Sequence, residues 1–412
     1  MGVSIWEGNK AERVARALEI IAIANAKNID LSNMHEVQEI VKAGKAREFF
    51  RIGDQIDITW KPDTGAEAEY HLPFDVVSFG PAVDGSGNTH QNAMWLQSHY
   101  ALTGIQFSGN NAFYVPEAAM PAGTYYFSIG NNWGNNCVAG KIYEFTTTQE
   151  IPAGGQLLLG TASSNTSGLP DTVPANWRVR TFANGLQDAP TEILELTEVE
   201  SSSGTDLGVL SSSTKYAESG INNMQRAAYG YNRYAHSAIR QWLNSAAGKN
   251  AWWEQKNPFD HRPDQLATVQ GFMAGLPQDF LEVIRPIKVT TALNTVSDSE
   301  IGASEDVVDK FFLPSLEQEY IVPQASGVEG AYWEYWKERL GLNSPQIQGS
   351  SGANPAHIRY AYENHTSAQY VRLRSAYRGY ASNAWYVTTS GNANSYTYAT
   401  YACRPAPACV IY

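Results

Sequence analysis

The sequence predicts an α+β protein in three parts: an N-terminal helical segment over 1–48, a β-rich domain over 49–191 and a mixed domain over 192–412. Three observations carry this. The chain opens on a run with helical apolar spacing, its middle is a succession of short β-type runs punctuated by Gly, Pro, Asn and Asp, and its last part mixes helical and alternating segments. With 412 residues, 43% of them hydrophobic, it should bury at least two cores, on a soft prior of roughly 100 to 200 residues per domain.

Ala11 to Lys27 reads as a helix with Val14, Leu18 and Ile21 close to a heptad seam whose next position is the polar Asn25. Such an Asn either fixes the register of a self-associating seam or marks the wet end of a helix packed on its own domain. Asp30-Leu31-Ser32-Asn33 offers N-caps for a second helix, Met34 to Ala43. From Phe49 onward the β-type runs are Ile56 to Trp60, Tyr70 to Val77, Gly104 to Tyr114, Thr124 to Gly130, Lys141 to Thr147 and Leu157 to Gly160. Their near-regular spacing suggests a β-sandwich or small β-barrel. That domain and the first helix are the candidates for assembly or attachment. Ser201-Ser202-Ser203-Gly204 and Ser211-Ser212-Ser213 read as exposed loop or linker, and composition places the domain boundary near Glu192.

The mixed domain opens with a helix over Met224 to Ala246, in which Ala235, Ile239, Trp242 and Leu243 share a face. Gln278 to Val283 reads as a second helix, Ile284 to Thr291 as a strand, and Asp306 to Phe312 and Ala331 to Leu340 as aromatic-rich segments. Near the C-terminus, alternation sets Trp385 and Val387 on one face and Ala384, Tyr386 and Thr388 on the other. Gly391 with Asn392 reads as a turn, so this segment folds back as a hairpin.

Composition narrows the function classes. The formal charge of −12 argues against an electrostatic nucleic-acid binder. No apolar run approaches the roughly 18 residues of a membrane span, so no membrane insertion is expected. The opening residues lack a secretory-signal pattern, and Trp6 stands where a myristoylation signal wants Ser or Thr. Cys137, Cys403 and Cys409 are too few for a disulfide framework. The last two would lie about 20 Å apart in a straight strand at roughly 3.3 Å per residue and could pair only if Pro405 and Pro407 turned the chain, so packed free thiols are expected. No histidine pair has metal-site spacing, and His236, beside Ile239, reads as a core or boundary residue. Nucleophile-elbow and phosphate-cradling motifs are missing, and Asp298, Glu300, Glu305 and Asp306 read as a solvated acidic loop. The expectation is a protein without catalytic residues, metal or cofactor.

Between Tyr377 and Tyr401 nearly every residue is Tyr, Ser, Thr, Asn, Gly or Ala, the vocabulary of binding loops: rigid amphipathic rings with small polar partners. A core would use Leu, Ile and Phe. An Asn codon of the form AAY, randomised at its adenines, reaches Tyr, Ser, Thr, Asp, His and Ile by one change, Ala, Gly, Cys and Phe among others by two, and never a stop codon. Tyr380, Ser382, Asn383, Tyr386, Ser395, Tyr396, Thr397, Tyr398, Thr400 and Tyr401 fall inside that set, while Leu373, Trp385, Val387, Pro405, Val410 and Ile411 stand around them as framework. A structureless Tyr/Ser/Asn tail is the alternative, but such tails rarely carry a Trp385/Val387 pair, a turn and a closing apolar strand.

Leu373-Arg374-Ser375, Ala384-Trp385-Tyr386-Val387, Ser390-Gly391-Asn392-Ala393-Asn394 and Arg404-Pro405-Ala406 together resemble the variable proteins of diversity-generating retroelements. In that family a C-terminal repeat is rewritten at template adenines, and the variable domain has a C-type lectin fold. Ser237 to Asn244 and Asp309 to Leu316 resemble upstream segments of the same domains, so the likeness covers roughly 192–412. It implies a C-type lectin-like domain there and recognition without chemistry. Tyr377, Tyr380, Tyr386, Tyr396, Tyr398 and Tyr401 would be contact anchors, and Ser382, Asn383, Thr388, Asn394, Ser395, Thr397 and Thr400 would tune fit. Leu373, Trp385, Val387, Val410 and Ile411 would hold the scaffold.

The resemblance further implies a phage or prophage receptor-binding protein of a virion tail or tail fibre, or else a bacterial cell-surface adhesin. Its partners would be a bacterial surface protein or glycan, other virion proteins and copies of itself, a trimer included, since repetition raises avidity. A calcium-independent carbohydrate-binding adhesin and a structural virion protein are the competing readings. Formylglycine-generating enzymes share the fold family and use a cysteine pair, which would require Cys403 and Cys409 to converge. The calcium motifs of sugar-binding lectins are missing after Glu192, so calcium is not expected.

Overall fold

The computed structural model describes residues 10–27, 29–63, 68–108, 113–114, 118–129, 140–152, 156–161, 177–182, 192–210, 230–256, 260, 262–296, 298, 301–347 and 354–412. Over these residues the protein is α+β, with five sheets and a few short helices. Three helices come first: α1 (Lys10–Ala26), α2 (Met34–Lys42) and α3 (Ala46–Phe49). Helix α2 starts where the Asn33 side chain accepts the His35 N–H at 3.0 Å, and it buries Met34, Val37, Ile40 and Val41 at helical spacing. Helix α1 is tied along one flank by Arg16, which donates to Asp54 at 2.7 and 3.0 Å and to the Phe49 carbonyl at 3.0 Å. Leu18 and Ile21, on the stripe read as a seam, are 60% and 52% exposed.

Strands are numbered in chain order. β1 (Gln55–Trp60), β2 (Tyr70–Val83) and β3 (Thr89–Ser98) pair antiparallel, and the last strand of the chain, β17 (Ala408–Ile411), joins the edge of β3 to give the order β1-β2-β3-β17. In register, Cys409 faces Leu96 and Ile411 faces Met94. This pairing runs across the expected boundaries. Boundaries at 48/49 and 191/192 would assign α2, β1–β3 and β17 to three domains, yet one core contains Val37 and Val41, Phe74, Leu96, Trp242, Phe311, Val410 and Ile411. Gln38 of α2 also donates to the main-chain oxygen of Tyr412 at 2.8 Å. The cause is strand pairing: β17 is buried along its whole length, and its backbone groups find partners in β3 on one edge and in Arg285 and Phe312 on the other.

The other β-runs of the first half form two four-stranded sheets. One has the order β4-β7-β8-β9, made of Phe113–Tyr114, Gln156–Thr161, Trp177–Phe182 and Glu192–Glu195. The second has the order β10-β6-β5-β11, made of Thr197–Val199, Ile142–Thr147, Gly123–Ile129 and Thr205–Leu210, with β11 parallel to β5. Of the strand expected over Gly104 to Tyr114, only Phe113–Tyr114 is extended among the described residues. Residues Ile105 and Phe107 instead donate their N–H groups to the Cys403 and Ala399 carbonyls, at 3.2 and 2.9 Å.

The helix expected over Met224 to Ala246 is much shorter. Residues 211–229 lie outside the described residues, and the regular helix is α4 (Ala238–Leu243). Ser237 sets its start by accepting the Arg240 N–H at 3.3 Å. Asn244 ends it, turning its amide to the Arg240 and Phe311 carbonyls at 3.1 and 2.7 Å and accepting Lys310 and Phe311 N–H at 2.9 and 3.1 Å. Arg240 donates to both oxygens of Asp309 at 3.0 and 2.9 Å. The segments 237–244 and 309–316, both singled out in the sequence, are therefore two halves of one contact.

Helix α5 (Gln278–Val283) lies where the sequence placed it; the following strand, β12 (Ile287–Ala292), starts only after Pro286, which has no N–H to donate, and pairs with β13 (Ser304–Asp309). Helix α6 (Glu334–Leu340) ends at Gly341. Between α6 and the first sheet lies a buried charged junction. Asp75 accepts from Gln55 at 2.9 Å, from His99 at 3.0 Å and from the Tyr335 hydroxyl at 2.9 Å, and it lies 3.8 Å from the Arg359 guanidinium. Arg359 also donates to the His99 carbonyl at 2.8 Å. Burial opposes the charge on Asp75, but His99, Arg359 and Arg339 outweigh it and hold the carboxyl well below the usual range.

Candidate ligand-binding surface

The C-terminal hairpin region is a three-stranded sheet in the order β14-β15-β16, made of Val371–Ala376, Asn383–Val387 and Ala393–Tyr398. Val387 pairs with both Val371 and Ala393, and Tyr386 pairs with Arg372 and Asn394. The turn between β15 and β16 closes by Thr388 N–H to Asn392 O at 2.8 Å and Gly391 N–H to Thr388 O at 3.0 Å, with Gly391 at φ +81°. Leu373, Trp385 and Val387 are buried with Leu316, Ile321 and Ala393 in a small apolar cluster. Ala384, on the opposite face, is buried in the main core with Val410 and Ile411. β15 is the central strand and is covered on both faces at Ala384 and Trp385, so at Ala384 the face opposite Trp385 and Val387 is core as well.

Two buried arginines knit this sheet to the rest. Arg374 donates to the carbonyls of Leu313 at 2.8 Å and Thr290 at 3.1 Å, and to Gln318 Oε1 and the Glu329 carbonyl. Arg372 donates to the carbonyls of Ala384 at 2.9 Å, Thr397 at 3.4 Å and Tyr398 and Tyr401 at 3.0 Å each, and its guanidinium lies 5.3 Å from the Phe107 ring centre. Neither residue figured among the expected scaffold positions, although both stand in the Arg372-Leu373-Arg374 run. Their charge is what hid them: isolated in a sequence, Arg reads as surface.

The expected contact residues fall into distinct groups. Tyr398 and Tyr401 are 43% and 53% exposed, and Tyr370, absent from the expected set, is 39% exposed. Tyr370 is 5.5 Å from the half-buried Tyr386 and 6.4 Å from Tyr401 between ring centres, so these rings form one aromatic patch. Its signal was available, since it directly precedes β14, but it lies before the Tyr/Ser/Asn-rich stretch. Burial raises the Tyr386 phenol, which keeps it neutral and able to both donate and accept. Tyr377 and Tyr380 stack at 5.2 Å, half-buried, with Tyr377 5.5 Å from Trp385. Tyr377 packs against the small apolar cluster. Thr397 and Thr400 are half-buried.

Two expectations need correction. Ser382 and Asn383 are buried, not displayed: the Ser382 hydroxyl donates to Asn383 Oδ1 at 2.8 Å, its carbonyl accepts the Ala399 N–H at 2.7 Å, and the Asn383 carbonyl accepts from Asn232 at 2.7 Å. They lead into β15 underneath the 397–401 segment. Thr388 is half-buried and spends its hydroxyl on the turn, accepting N–H bonds from Asn392 at 3.0 Å and Ser390 at 3.3 Å. Asn394, Ser395 and Tyr396 lie on β16, and their side chains are outside the described structure.

Cys403 and Cys409 are both free and buried, and burial raises both thiols; Cys137 lies outside the described residues. Among the described residues no three His, Cys, Asp or Glu side chains converge as metal ligands, and no helix is long and apolar enough to cross a membrane. Residues 208–411 match the family model described as a domain of unknown function (DUF6273). That span holds α4, β12–β17 and the whole aromatic patch, but not β3, the partner of β17. Comparison with curated proteins and with solved structures finds no match.

Proposed function

We propose that the protein is a non-enzymatic receptor-binding protein whose C-terminal module has a C-type lectin-like layout and presents a side-chain surface diversified by adenine-directed mutagenesis. The observation that supports it is the contrast within residues 397–401: the Tyr398 and Tyr401 rings face solvent while Ala399 between them is fully buried. Display and framework thus alternate along one segment. Tyr370 and Tyr386 extend the surface sideways, giving a set of large, stiff, amphipathic rings of the kind that dominates interface hot spots. The burial of both C-terminal thiols, with raised pKa values, favours recognition over thiol chemistry. The reading places the protein on a phage tail or tail fibre, or on a bacterial surface, with a bacterial surface protein or glycan as receptor and avidity supplied by an oligomer.

Binding of the labelled protein to bacterial cells tests it. Tyr370→Ala, Tyr398→Ala and Tyr401→Ala together should abolish binding while the melting temperature holds, whereas unchanged binding would point to a structural virion protein. The genomic neighbourhood provides a second check. A nearby reverse transcriptase, with an imperfect copy of the segment encoding Leu373 to Ile411 that differs mainly at adenines, would support diversification, and the lack of any such copy would remove it.

A further inference from the structure

The 397–401 segment is held in an unusual way. Five consecutive carbonyls accept hydrogen bonds from the framework: Thr397, Tyr398 and Tyr401 from Arg372 at 3.4, 3.0 and 3.0 Å, Ala399 from the Phe107 N–H at 2.9 Å, and Thr400 from the Gln106 side chain at 2.9 Å. Within the segment the Tyr401 N–H also donates to the Tyr398 carbonyl at 3.0 Å, but each of the five carbonyls has a donor outside it. Gln106 is itself fixed, because its Oε1 accepts the Asp264 N–H at 2.9 Å. Gly230, at φ +82°, passes directly beneath: a Cβ added there would sit 2.9 Å from the Ala399 Cβ and 3.1 Å from the Thr400 nitrogen. Ala399 is fully buried, and its N–H is spent on the Ser382 carbonyl at 2.7 Å.

A carbonyl is the same acceptor whatever side chain follows it. Arg372 is buried and, among the described residues, no carboxylate pairs with it; its Nη1 and Nη2 donate to main-chain oxygens, its guanidinium lies against the face of Phe107, and its Nε has no hydrogen-bond partner. Losing even one of these bonds would strand a buried donor, which costs more than the bond itself contributes.

We propose that Arg372 and Gln106 are positioning residues of the binding surface: they fix the main chain of 397–401 from outside, so that the side chains at 397, 398, 400 and 401 can change without changing the shape that presents them. This rests on the receptor-binding reading for its purpose, though not for its geometry. It also divides the segment. Positions 397, 398, 400 and 401 are open to exchange, and 399 is closed to anything larger than Ala.

Hydrogen exchange on the full-length protein tests it without any ligand, so a failure of the receptor reading would leave the result intact. The reporting amides are Ala399, Tyr401 and Cys403, bonded at 2.7, 3.0 and 2.8 Å. Replacing Thr397, Tyr398, Thr400 and Tyr401 together by Ser should change their exchange less than about twofold, whereas Gln106→Ala should speed it by about 3- to 10-fold with β14 unaffected. Arg372→Lys should do the same more strongly. If that variant does not fold, Gln106→Ala decides. The proposal is overturned if Gln106→Ala leaves these amides unchanged, or if the Ser replacements loosen them as much as Gln106→Ala does.

Discussion

Asp75→Asn is the sharpest test of whether α2, the first three strands and the C-terminal strand form one folding unit. Asp75 is buried and serves Gln55, His99 and Tyr335 by direct hydrogen bonds, with Arg359 at 3.8 Å. Asn keeps the volume but removes the charge, and its amide turns donors toward donors. Breaking a buried ion pair by removing one partner costs about 3–5 kcal/mol, because the other charge stays behind uncompensated. For a unit of more than about 150 residues, each kcal/mol lowers the midpoint by roughly 2–4 °C, so the expected drop is roughly 6–20 °C. Differential scanning calorimetry should show that drop in the transition that also melts β14–β16, followed independently by Trp385 fluorescence. A loss below about 1 kcal/mol, or one confined to a transition that leaves Trp385 untouched, would refute the single core. Acid should mimic the substitution. The folded pKa of Asp75 is depressed, so its contribution is complete above the unfolded value of about 3.9 and disappears as pH falls through the folded value.

Other outcomes follow from single residues. Burial and the nearby Arg233 push His236 down to about 4, so stability should be complete above about 6.5 and decline as pH falls toward 4; His236→Gln should flatten the melting temperature across that window. Tyr401→Ala should weaken receptor binding by about 2 kcal/mol, roughly 30-fold in Kd by titration, and change stability by less than about 0.5 kcal/mol. Trp385→Ala, in the small apolar cluster, should do the reverse to stability, costing about 3–5 kcal/mol in denaturant unfolding. Asn244→Ala removes the bonds joining α4 to Lys310 and Phe311 and should cost about 1–3 kcal/mol, read by the same unfolding curve.

The local signals were legible where the chemistry is local. The capping run Asp30-Leu31-Ser32-Asn33 before Met34 announced α2, Gly391 with Asn392 announced the turn, and Trp385 with Val387 announced a buried strand. Composition marked the Tyr-rich stretch that contains Tyr398 and Tyr401. It did not separate them from Ser382 and Asn383, because the same small polar vocabulary serves an exposed loop and the buried strand start that supports it. Tyr370 escaped for the opposite reason: it lies outside the biased stretch and joins the patch only through its contacts with Tyr386 and Tyr401.

By itself the sequence determined the local signals of α2, α5 and the Gly391 turn, and the kinds of side chain available for display, since these depend on neighbours within a few positions. Only the tertiary structure decided that Ala408–Ile411 closes the sheet begun by Gln55–Trp60, that Arg372 and Arg374 are interior, and that Ala399 is buried between two exposed tyrosines. The reason is physical: burial and ladder pairing are settled by residues hundreds of positions away, and a guanidinium becomes a core residue only when main-chain carbonyls from several segments converge upon it.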